Sequence, residues 1–222
     1  MSTTAAREPI AVEADDTDDA GPRKFVPGTI GWTADDLDDP RVERAWLSGC
    51  YEIVEGVLTY MAAAHFDGGG ALVELITIVK SHLRQQGIGG KFAVEADVVL
   101  NQMRVPRVDA VYLSADSLRQ QQALNAASRR PRGKYGRVRV PPTLAVESVS
   151  PGHEAHDRKT KRRWYAEAGV PHYWLVDAFA KSLECLVLEG SAYRTEQLGH
   201  GADEVKPSLF PGLVIRLAEL WE

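Results

Sequence analysis

Residues 144–177 read LAVESVSPGHEAHDRKTKRRWYAEAGVPHYWLVD. Leu144, Ala145 and Val146 form an apolar run between Pro142 and the turn signal Ser150-Pro151-Gly152, the pattern of a short buried strand. Glu147 stands inside that run, where a carboxylate is costly unless a cation or hydrogen-bond donors meet it. The next segment, roughly 154–168, reads as a helix. Drawn at about 100° per residue, it has Asp157, Lys161, Trp164, Tyr165 and Ala168 on one side and Lys159, Arg162 and Arg163 on the other. Trp164 and Tyr165 mark the inward side, so Lys161 is the one base of RKTKRR that points inward. Two readings stay open on these residues alone. A buried carboxylate and a buried ammonium one tight turn apart suggest a site. Alternatively, Asp157 and Lys161 form an ordinary i,i+4 helix ion pair, and Glu147 ends its strand in water.

The chain has 222 residues, and its 44% hydrophobic content is ample for a core. Its apolar segments show no sign of two separate cores. Cys50 and Cys185 are far apart and outside any C-x-x-C spacing, which indicates neither a disulfide framework nor a zinc ribbon and suits a reducing cytoplasm. No apolar run approaches about 18 residues, and the N-terminal stretch lacks a basic start and apolar middle, so neither a membrane span nor a signal peptide is expected. The net charge of −5 is uneven: residues 1–40 carry ten acids against three bases, leaving 21 acids and 23 bases in 41–222. Residues 1–28 therefore read as a disordered acidic leader and 29–222 as one domain, whose slight positive balance permits a polyanionic partner.

Thr33 looks like the cap of a short helix running to about Leu47. YEIVEG and VLTYMA then read as paired strands. Leu72, Leu75, Ile76, Val79 and Leu83 recur at helical spacing and predict a helix over about 70–86, ending at Gly87. FAVEADVVL, RVDAVYLS, 170–177 and 182–188 read as further strands. This order argues for an α/β fold, a mixed sheet with helices packed against it, and no internal repeat is visible. In RVDAVYLS, alternation sets Asp109, Val111 and Leu113 on one face. If this strand adjoins the Glu147 strand, the two carboxylates share a spot suited to a divalent cation, and oxygen-only ligands point to Mg²⁺ or Mn²⁺.

These motifs carry a family resemblance. YEIVEGVL, VDAVYLS, LAVESVSPG, HDRKTKRRWYAEAGVPHYWLVD and SLFPGLVIRLAEL, in that order from about residue 51 to the C-terminus, resemble the Uma-two family of restriction-endonuclease-like proteins within the PD-(D/E)XK nuclease superfamily. The resemblance implies a restriction-endonuclease-like mixed β-sheet flanked by helices and an Mg²⁺-dependent (or Mn²⁺-dependent) endodeoxyribonuclease. It implies Asp109 and Glu147 as metal ligands and catalytic acids, and Glu74 as an additional helix acid on the metal. Two departures stand out. Val108 replaces the proline before the first acid, and Val149 stands where the superfamily lysine would share the face of Glu147. The family pattern instead has a lysine in the following helix, and Lys161 occupies that place. The implied reaction is phosphodiester hydrolysis, with Lys161 positioning the attacking water or stabilising the pentavalent phosphoryl group.

DNA contact would come from Arg129, Arg130, Arg132, Lys134, Arg137 and Arg139 of a basic loop and from Lys159, Arg162 and Arg163, which would neutralise phosphates without reading bases. The same bases could equally form a solvated surface. His153 and His156 are spaced i,i+3, not the i,i+4 of a zinc-protease helix, and read as solvent-facing or capping residues. Gly68-Gly69-Gly70 lacks the Lys-Ser/Thr of a nucleotide loop and reads as a flexible helix entry. Asp97 is a further candidate for the site if its strand adjoins Asp109. Asp177 reads as a turn acid. Two functions compete: a metal-dependent DNA endonuclease, and a catalytically faded nuclease-fold module that binds nucleic acid or protein, which Val149 motivates. By fold-level analogy a homodimer suits the cutting of two strands.

Overall fold

The computed structural model describes residues 24–61, 66–127, 136–150 and 155–222. Asp39 caps helix α1 (Pro40–Trp46) by accepting the Arg41 N–H, and Pro40 supplies the first-turn φ. The helix begins later than a Thr33 cap predicts, because Asp36 Oδ2 accepts both the Thr33 N–H and its hydroxyl, holding the chain in a short 3₁₀ turn. Strands β1 (Tyr51–Val54) and β2 (Val57–Tyr60) form a hairpin turning at Glu55 and Gly56, whose φ of 49° and 77° suit a type I′ turn. Phe25 is buried against Trp32 and Tyr51 in the cluster around this hairpin.

Helix α2 (Phe66–Gln85) buries the predicted stripe of Leu72, Leu75, Ile76, Val79 and Leu83. Then come β3 (Gly90–Asp97), β4 (Arg107–Ser114), α3 (Ala115–Ala127) and β5 (Leu144–Ser148). A π-type turn over His156–Lys161 runs into α4 (Arg162–Glu167), where a continuous α-helix was expected. Strands β6 (His172–Asp177), β7 (Ser182–Glu189) and β8 (Ala192–His200) follow, and a small pair, β9 (Glu204–Val205) with β10 (Ile215–Arg216), closes the chain. Neither α3 nor β8 has a strong periodic signature. Helix α3 is built from good helix formers but has only Gln121 buried, and β8 mixes exposed polar with few buried positions.

The mixed α/β sheet has six strands in the order β3-β4-β5-β6-β7-β8, with β5 and β6 parallel and all other neighbours antiparallel. Alternation along β5 divides the core. Leu144 and Val146 face α2 and the C-terminal residues Phe210, Leu213 and Leu217, whereas Ala145 and Val149 pack with Tyr165, Tyr173 and Leu175 on the opposite side. Glu147 shares the second side. Among the described residues, no helix is long and apolar enough to cross a membrane.

Candidate active site

The β4–β5 ladder pairs Val111 with Ala145 and Ala110 with Val146, so the next step sets Asp109 beside Glu147. There the side chains take over from the ladder. Ser148 N–H donates to Asp109 Oδ2 at 2.7 Å, and Asp109 N–H points to Glu147 Oε2 at 3.5 Å. The π turn and α4 then bring Lys161 over this end of the sheet, with Trp164 and Tyr165 anchoring the helix in the core. Lys161 Nζ lies 3.0 Å from Glu147 Oε1, 3.2 Å from Glu52 Oε1 and 3.8 Å from Asp157 Oδ1. Lysine and glutamates are sequestered, with side-chain exposures of 5% for Lys161 and 1% for both Glu52 and Glu147. Tyr165 donates its hydroxyl to Glu147 Oε1 at 2.5 Å, and Tyr173 donates to the Asp157 carbonyl at 3.1 Å.

The ammonium thus meets Glu147 and Glu52 more closely than its helix neighbour Asp157, so its pairing is not confined to the i,i+4 contact. Glu52 is the residue that motif reasoning passes over. It sits on β1, accepts the Arg107 N–H at 3.1 Å and faces His156 Nε2 at 3.4 Å. The signal was present in YEIV, where Glu52 is the lone acid among apolar strand residues, as for Glu147. His156 is accordingly not solvent-facing: its ring stands edge-on to Trp164 and next to Glu52.

Burial governs the charges. It pushes Asp109 up to about 7, helped by the negative Glu147, and pushes Glu147 itself up to about 7 against the pull of Lys161. Burial likewise lifts Asp157 to about 6. At Glu52, burial acts in the same direction, but Lys161 and His156 outweigh it and hold this carboxyl below the usual glutamate range. Burial opposes the charged form of Lys161, yet the surrounding acids prevail and raise it, so it stays an ammonium. One fixed cation therefore serves four carboxyl groups, and the cluster retains shared protons near neutrality.

The donor set suits a hard divalent cation, since the carboxylates supply only oxygen; Glu52 Oε2 is already faced by the His156 ring at 3.4 Å. Asp109 and Glu147 would hold such an ion. Among the described residues, however, no three His, Cys, Asp or Glu side chains are already disposed as a ligand set. Lys161 supplies the positive charge at the acids instead.

Other expected residues fall elsewhere. Glu74 is exposed on α2, and no hydrogen bond or ion pair ties it to the cluster among the described residues, because the stripe of Leu72, Leu75 and Ile76 turns it outward. Asp97 is drawn away to Arg107 and Trp46 Nε1. Arg137 and Arg139 are not free for DNA: Arg137 is buried beside Asp38 and Asp97, and Arg139 pairs with Asp38 at 2.7 Å. Arg129, Arg130, Arg132 and Lys134 lie outside the described residues, as does His153. Lys159 and Arg163 are exposed and Arg162 half-buried, on the side of the helix away from the acids. Asp177 accepts the Ala180 N–H as a turn acid, and Val149 is core. Gly68 closely abuts Ser148 and is part of α2, not of a loose entry.

The six-stranded mixed sheet and its flanking helices define a restriction-endonuclease-like nuclease fold. The chain belongs to the Uma2 family, described as "putative restriction endonuclease", whose model matches residues 47–218. A solved structure described as "a putative nuclease belonging to DUF820 from Anabaena variabilis ATCC 29413" superposes with a TM-score of 0.59 at 14% identity, covering 78% of this chain and 90% of that one. No curated protein matches the sequence. Family and fold are those of a nuclease, a hydrolase of phosphodiester bonds.

Proposed function

We propose that the protein is a divalent-metal-dependent endonuclease that cleaves DNA, with Asp109 and Glu147 holding the ion and Lys161 completing the catalytic centre. The observation that carries the reading is the meeting of Asp109, Glu147 and Lys161 at one end of β4 and β5, with Nζ 3.0 Å from Glu147. A bound Mg²⁺ or Mn²⁺ would supply Lewis acidity and a more acidic water. Tyr165 fixes one oxygen of Glu147, and Ser148 N–H fixes one of Asp109, so both carboxylates are oriented before any ligand arrives. Glu52 positions Lys161 from its far side. The ammonium then offsets negative charge that grows on the phosphoryl oxygens.

Incubation of supercoiled plasmid with the protein and Mg²⁺ or Mn²⁺ tests this. Nicking should require the ion, vanish with EDTA and be lost in Asp109→Ala and Glu147→Ala variants whose circular dichroism is unchanged. Equal nicking by the folded variants would reject the assignment. A second reading, a faded nuclease that only binds nucleic acid or protein, draws on Val149 in the usual lysine position and on the tight ion pairing of Lys161 with Glu52 and Glu147. Salt-sensitive DNA binding with no cleavage under any divalent ion would favour it.

A further inference from the structure

A groove of about 660 Å³ lies on the outer side of α4, between that helix and the turn joining β7 to β8. Arg158, Lys159, Arg162 and Arg163 line it, facing Ser191 and Ala192, and among the described residues Glu167 is the one acid in the lining. We propose that this groove takes the sugar-phosphate backbone of a nucleic acid, as a contact separate from the carboxylate cluster. Arg158 is paired to Asp177 and Glu184, so Lys159, Arg162 and Arg163 against Glu167 leave a cationic trough, lined also by the small residues Ala166 and Ala192. Its walls are fixed: Arg162 donates to the Tyr193 carbonyl at 2.9 Å, tying helix to hairpin, and Tyr193 is locked through its hydroxyl to the Val170 carbonyl.

The cations differ in availability. Lys159 has no ion-pair partner among the described residues. Arg163 is 62% exposed and meets Glu55 and Glu167 only at 4.0 and 3.7 Å, contacts that a phosphate can displace. Arg162 spends one nitrogen on Tyr193 and keeps other donors. Arg158 is neutralised by Asp177 and Glu184 and serves as wall. The same helix turns Lys161 and Tyr165 inward, so the groove residues lie on the other side of that helix from Glu147. A strand lying in the groove is gripped beside the site without entering it. The inference rests on the nuclease reading only for the identity of the polyanion.

Fluorescence anisotropy of a labelled oligonucleotide, titrated with the full chain in EDTA across a salt series, separates binding from cleavage. In Lys159→Gln/Arg163→Gln the slope of log affinity against log salt should fall by roughly 1–2. Ala192→Trp, which fills the groove without changing charge at an exposed position, should weaken binding at least about fivefold with the melting temperature unchanged. Wild-type slope in the double variant, or wild-type affinity in folded Ala192→Trp, would overturn the groove. So would competition by polyglutamate equal to that of the oligonucleotide. A protein that binds through the groove yet never nicks plasmid would refute the nuclease and leave the groove standing. One that nicks but binds equally well in all variants would do the reverse.

Discussion

Among the described residues Lys161 is the one lysine or arginine paired with Glu52, Glu147 and Asp157, so its removal leaves Glu147 and Asp157 without that counter-charge. Lys161→Ala should lower stability by about 3–5 kcal/mol in chemical denaturation, the range for breaking a buried pair. Tyr165→Phe removes one hydroxyl from Glu147 and should cost about 1–3 kcal/mol with the far-ultraviolet spectrum preserved. The acids set a pH dependence of definite sign. Asp109 is lifted from 3.8 to about 7 by burial, so the folded protein binds more protons than the unfolded chain within that window. Stability from this residue is present in full below about pH 4 and is lost as pH rises through about 7. Melting temperatures of Asp109→Asn should accordingly fall less than those of wild type between pH 4 and pH 7, about the range set by the two limiting values. A steeper fall in the variant would contradict the assignment. Mg²⁺ should restore the wild-type loss at the upper end.

At the scale of elements, the site depends on strand register and on one turn of helix. Asp109 and Glu147 meet because β4 and β5 pair in a register that sets them side by side just beyond Ala110 and Val146. A slip of one residue would turn both away. Helix α2 approaches this end of β5 so closely that a Cβ on Gly68 would lie 2.4 Å from Ser148 Oγ. Gly68→Ala should therefore destabilise by about 1 kcal/mol or more despite the better helix propensity of alanine, and Ser148→Ala should recover most of that loss in a double-mutant cycle. Additive effects would show that the contact is soft. Much at this scale was legible in the sequence. The strands carrying Asp109 and Glu147 announce themselves by apolar runs, and the wheel picks out Lys161 because Trp164 and Tyr165 mark its face. The π turn was not legible, because nothing in HDRKTK distinguishes one extra residue per turn. Glu52 shows in the sequence only as an acid in an apolar strand; its place in the cluster does not, because its partners, Lys161 and His156, lie about a hundred residues along the chain.

Across the whole molecule, the sheet divides the labour. One face packs α2 and the C-terminal segment into an apolar core, and the other lays the π turn and α4 over the acids, with β1 supplying Glu52 from a separate hairpin. The mixed sheet follows from the sequence order of apolar segments. Which bases are free does not, since Arg137 and Arg139 look like loop cations until Asp38 and Asp97 fold against them. The central claim, that two strands from different parts of the chain build one metal-holding pair of carboxylates, is tested most directly by calorimetric titration of Mn²⁺ into wild type, Asp109→Asn and Glu147→Gln. The expected result is binding in wild type that either single variant weakens at least about tenfold, since each removes half of the charged ligand pair. Mn²⁺ binding of equal affinity in all three proteins would contradict it.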